Sequence, residues 1–144
     1  LAVFGRRIDR YDLIFRALNM HVLAHSLTEE KIINGIREGR CFASFGLLGD
    51  AAGFQFRARE ISTGMQRAVL GEELKMQDGL VLEAQSPIPG ALTLLRDGVP
   101  IRRELGRLLR HGVDQPGVYR VEVSLRVVDR WRPWIFANPI YIRV

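Results

Sequence analysis

The 144-residue sequence is 47% hydrophobic and carries a formal net charge of +5, the size and apolar content of one folded domain. No apolar run approaches the ~18 residues of a membrane-spanning helix, and Leu1 to Arg10 lacks the charge-then-apolar order of a secretion signal. The chain therefore reads as soluble, cytoplasmic rather than exported, with no membrane partner.

Its start at Leu1, running straight into a helix-like pattern, leads us to expect a piece of a longer polypeptide whose remainder lies upstream. From Tyr11 to Leu23 the apolar residues Tyr11, Ile14, Phe15, Leu18 and Val22 recur at threes and fours, which predicts a helix with one buried stripe. If the stripe is uncovered in the isolated chain, a homodimer through it is expected. A second helix follows, capped by Ser26 or Thr28, with Glu29 and Glu30 at its positive end, Ile32, Ile33 and Ile36 on its apolar face and Gly39 closing it. Cys41 to Phe45 is short and apolar, as a buried strand is. Cys41 is the sole cysteine, so the chain forms no internal disulfide and reads as a buried small hydrophobe there.

Beyond Phe45 the helical period gives way to alternation, which places a domain boundary near residues 45 and 46. Phe54, Phe56 and Ala58 face one way and Gln55, Arg57 and Arg59 the other. Leu80 to Ala84 is a further strand. Ala91 to Arg96 and Val99 to Arg103 flank Asp97-Gly98, the pair suited to a two-residue type I′ turn. Val118 to Val128 alternates after Pro116-Gly117, and Ile140 to Val144 follows Pro139. Tyr119, five residues after Asp114 and just past Pro116-Gly117, matches the corner tyrosine of immunoglobulin-like sandwiches and predicts a buried phenol bonded to backbone. The fold expected is mainly β, an immunoglobulin-like β-sandwich over residues 46–144 preceded by two helices within residues 1–45.

Four features bear on chemistry. His21 and His25, four apart on the expected first helix, would share a face, but no glutamate stands beside His21 and no third ligand is near, so no metal site and no catalytic residue is assigned. His111 lies in an arginine-rich stretch that repels a cation. That stretch, Arg102, Arg103, Arg107 and Arg110, is a candidate anion site, with a solvated basic edge as the simpler reading. All but two of the 21 basic residues are arginine, spread along the chain without interleaved aromatics, which speaks against nucleic acid. Trp131 and Trp134 are a candidate ligand platform, or else a cap on the core beside Ile135-Phe136. None of Ser44, Ser62, Ser86 and Ser124 sits in a nucleophile elbow, and the turn at Gly46, Gly49 and Gly53 leads into a strand rather than a phosphate-binding helix.

His21-Val22-Leu23-Ala24, Leu27-Thr28-Glu29-Glu30, Ile36-Arg37-Glu38-Gly39-Arg40 and Cys41-Phe42-Ala43-Ser44-Phe45 resemble the closing segment of bacterial PHP (polymerase and histidinol phosphatase) metallohydrolases of the carbaryl-hydrolase-like branch. Pro116 to Glu122 and Asn138-Pro139-Ile140-Tyr141 look like the late strands of the sandwich appended to such barrels. The resemblance implies a non-catalytic C-terminal accessory domain, structural or binding, whose partner is the upstream barrel of the same polypeptide. The family's His-X-His, acidic and Asp-X-His ligand motifs have no counterpart here, so it implies no cofactor in this chain and divalent metals in the parent protein. The alternative is a metal-dependent hydrolase whose site this chain completes.

Overall fold

The computed structural model describes residues 17–144 and, ahead of them, the backbone of two paired two-residue strands, β1 (Ala2–Val3) and β2 (Arg6–Arg7). The remaining elements are β3 (Leu18–Val22), α1 (Glu29–Arg37), β4 (Cys41–Phe45), β5 (Gln55–Glu60), β6 (Gln66–Val69), β7 (Glu73–Lys75), β8 (Leu80–Arg96), β9 (Val99–Gly112), β10 (Gly117–Val127), β11 (Arg130–Ala137) and β12 (Ile140–Arg143). The molecule is mainly β, as expected, with all ten strands from β3 to β12 in one open sheet. The hydrogen-bonded path runs β3-β4-β11-β10-β8-β5-β6, with β9 beside β8, β12 beside β10 and β7 beside β12. Every pairing is antiparallel except β12 with β7.

One expectation about the start of the chain changes. Leu18 to Val22 is not the end of a helix but an edge strand paired to β4, from Leu18 opposite Phe45 to Val22 opposite Cys41. The physical reason lies in the spacing, since residues four apart share a face in either period, and an apolar β4 offers a ladder that an isolated helix turn cannot match. Tyr11, Ile14 and Phe15 lie outside the described residues. Among the described residues, α1 is the one helix that is described from end to end. Thr28 caps it, its hydroxyl accepting the Lys31 amide at 3.4 Å, and Gly39 ends it at φ +70°. β3 and β4 also join the sheet that holds the later strands, so the sheet spans residues on both sides of position 45.

The sheet bends at Ser86-Pro87-Ile88-Pro89. Both prolines lack an amide donor, the β8–β9 ladder is interrupted between Gln85 and Gly90, and the Ser86 hydroxyl donates to the Ile88 carbonyl at 2.7 Å. Before the bend β8 pairs with β5; after it, with β10. Gly90 is required there because a Cβ would stand 2.8 Å from the Ser124 carbonyl oxygen. The two halves enclose one core that draws Phe56, Leu82 and Leu109 from one side of the bend and Leu92, Val121, Val123 and Ile135 from the other. They meet again at the far rim, where the Gly71 amide donates to the Pro139 carbonyl at 2.7 Å and the Tyr141 amide to Glu72 at 2.9 Å. A Cβ on Gly71 would overlap the Gly39 carbonyl.

The sequence-expected hairpin is present. Asp97 and Gly98 have φ of +50° and +83°, and Arg96 faces Val99 across the two-residue turn. Asp97 holds the turn to β10, its amide donating to the Val118 carbonyl and its carboxylate accepting the Val118 amide, each at 2.9 Å. The corner tyrosine is present as well: Tyr119 is fully buried and its hydroxyl donates to the Gln115 carbonyl at 2.7 Å.

Candidate functional site

β5 presents Phe56 and Ala58 to the core and Gln55, Arg57 and Arg59 to the outer face. Register places Arg57 opposite Glu83 of β8, and Glu83 opposite Arg110 of β9. Glu83 is only 3% exposed, and a buried carboxylate needs compensation. It has it: Oε1 accepts Arg57 Nε at 3.0 Å and Nη2 at 2.6 Å, Oε2 accepts Arg110 Nε at 2.8 Å, and Arg59 Nη1 lies 3.5 Å away. Burial pushes the Glu83 carboxyl up, but the hydrogen bonds and charges of Arg57 and Arg110 outweigh it and hold the group below its ordinary range. The remaining arms are also engaged, Arg57 with Gln55 at 2.7 Å and Arg59 with the Gly64 carbonyl at 2.8 Å.

The arginines singled out in the sequence do not gather into one patch. All four lie on β9, but Arg102 and Arg103 are consecutive residues of a strand and so take opposite faces. Arg102 is bonded to Glu104 at 2.6 Å, Arg103 lies over the Trp131 ring at 5.3 Å, Arg110 belongs to the Glu83 ladder, and Arg107 is exposed. The two tryptophans part in the same way. Trp134 is fully buried, with Nε1 donating to the Gly49 carbonyl at 3.1 Å, whereas Trp131 is 41% exposed. They do not form a joint platform.

His21 and His25 are likewise separated. His21, on β3, stacks on Phe42 at 4.4 Å and 4° and reaches the Ser44 hydroxyl at 2.9 Å; His25 stands exposed in the following loop. A strand-plus-loop arrangement replaces the helix turn that would have aligned them. Among the described residues no group of three or more His, Cys, Asp and Glu is placed to hold a metal, and no helix is long and apolar enough to cross a membrane. Cys41 is buried beside Asn138, and burial pushes its thiol up.

What sequence reading missed is an apolar outer face on β3, β4 and β11. Leu18 and Met20 alternate with the inward His21 and Asn19 and stand 59% and 63% exposed. Leu18 faces Phe45 across the ladder, and Met20 faces Ala43, which faces Phe136 on β11, so two neighbouring cross-strand rows make one patch. The Phe45 and Phe136 rings meet edge to face at 6.4 Å, both exposed over more than a third of their surface. α1 covers only the far end of this face, where a Cβ on Gly35 would come within 2.7 Å of Val22 Cγ1. Nothing described covers the rest. The signal was present as apolar residues at even positions of Leu18 to Val22, which the helical period absorbed.

No family model, curated protein or solved structure matches this chain.

Proposed function

We propose that the chain is a non-catalytic accessory domain of a PHP-like metal-dependent phosphoesterase or related hydrolase, docked on the barrel that precedes it in the same polypeptide. The observation that supports this reading is the uncovered patch of Leu18, Met20, Phe45 and Phe136. It lies on β3, the first strand of the main sheet, so polypeptide upstream of Leu18 is tethered beside it at an effective concentration on the order of millimolar. Covering each large apolar side chain fully is worth roughly 1.5–3 kcal/mol, so a face of four is an interaction site rather than ordinary surface. In this reading the barrel holds the divalent metals and performs the hydrolysis, and the domain stiffens or positions it.

The test is binding between this chain and the separately produced upstream polypeptide. Met20→Asp and Phe136→Ser should each weaken association by roughly tenfold or more, a loss of about 1.4 kcal/mol, without changing the chain's own unfolding midpoint. Unaltered binding in both variants would overturn the docking face. Self-association of the isolated chain that the same variants abolish would assign the face to a second copy instead.

A further inference from the structure

The arginine-rich strand β9 offers a second surface, independent of the docking face. β9 pairs with β8 alone, and none of the backbone bonds that link separate elements involves Val99 to Gly112, so among the described residues one side of this 14-residue strand is an open edge. Such an edge is a template for another strand. Exposed apolar residues accompany its arginines, Val99 at the start of the strand and Leu105 and Leu108 between Arg103 and Arg110.

The ladder perpendicular to the strands carries the argument further. Arg57 of β5, Glu83 of β8 and Arg110 of β9 stand directly opposite one another on the outer face, so charge alternates plus, minus, plus across three strands. The alternation stops on a cation at the open edge. Arg110 uses Nε for Glu83, and its side chain remains largely exposed on the strand that borders the open edge, within reach of a fourth strand. An acidic side chain there extends the row by one opposite-charge pair, and a neighbour two residues away would lie beside the exposed Leu108. Over Val99 to Gly112 the charges are Arg102, Arg103, Arg107 and Arg110 against Glu104 alone.

We propose that the β9 edge binds an extended acidic polypeptide segment by strand addition, with a Glu or Asp opposite Arg110 and an apolar residue two positions away. The backbone supplies the pairing and the arginines supply the selection of acidic over basic or neutral strands.

The probe is a fluorescent peptide of about eight residues alternating Glu with Val and Thr, added to the native chain and followed by anisotropy and amide exchange. Three outcomes are expected: saturable binding; protection confined to Val99 to Gly112; and a loss of about tenfold or more in affinity when Gln replaces Glu or when alternate peptide nitrogens are methylated. Equal affinity of the methylated peptide would reduce the interaction to charge attraction without strand pairing and overturn the proposal. So would protection elsewhere in the chain, or no saturable binding at all, which would leave the arginines as guards of a closed edge.

Discussion

On the β5–β8–β9 half of the sheet the outer face completes itself: Glu83 takes up Arg57 and Arg110, Arg57 reaches Gln55, and Arg59 reaches the Gly64 carbonyl. On the β3–β4–β11 half the outer face carries Leu18, Met20, Phe45 and Phe136, with α1 over one end only. Both halves put equally apolar residues into the same core, so the contrast is confined to the outside. A polar face can satisfy itself with its own side chains, whereas an apolar one is satisfied only by something laid over it. On the proposed reading, the difference marks the face that the upstream barrel covers, and it also ranks what substitutions should do.

The largest effect is expected at the inner side of the apolar half. Trp134→Ala should cost about 3–5 kcal/mol in denaturant unfolding, because it empties a fully buried ring site and frees the Gly49 carbonyl. Trp131→Ala, three residues away, removes an exposed ring stacked under Arg103 and should cost only about 0.5–1 kcal/mol. Equal losses would mean that the two rings share one environment.

On the self-completed half, Glu83→Gln should cost about 1–3 kcal/mol at neutral pH by leaving Arg57 and Arg110 without their anion. The carboxyl is held below its ordinary value of 4.5 in the folded chain. Its stabilising contribution is therefore complete above that value and lost as pH falls through the folded one. The stability gap between Glu83→Gln and the unaltered chain should accordingly close in acid; a gap unchanged from neutral to strongly acidic pH would show that the ladder is not electrostatic.

Tyr119→Phe should cost about 1 kcal/mol, since the Gln115 carbonyl loses its donor while the ring still fills its site. An unchanged midpoint would remove the corner from the account of stability. The smallest effect belongs to the uncovered face, where Met20→Asp should alter unfolding of the isolated chain by no more than ~0.5 kcal/mol. A large loss there would mean that the side chain is packed within the chain.

Local chemistry was the legible part of this sequence. Asp97-Gly98 and Tyr119 each depend on residues within a few positions, so turn type and corner could be read directly. α1 was legible from its cap and its closing glycine. Leu18 to Val22 was not, because a spacing of four satisfies the helical period and the strand period alike, and only the β4 ladder decides between them. The Glu83 ladder was hidden because its bonds join residues 26 and 27 positions apart. The arginine group looked like a patch for the opposite reason: four neighbours in sequence are divided by the two faces of a strand. Trp131 and Trp134 were separated by burial that no spacing announces. The immunoglobulin-like sandwich was expected from short alternating strands, but strand signals do not say whether strands fall into two sheets or one, and here they share one bent sheet.

Methionine oxidation offers the most direct test of the docking face, since Met20 lies on it and Met65, exposed to a similar degree, belongs to the turn between β5 and β6 and is no part of the patch. Both should oxidise readily in the isolated chain. In the polypeptide extended upstream, the account predicts that Met20 becomes protected while Met65 reacts as before. Equal reactivity of Met20 in the two forms would contradict it.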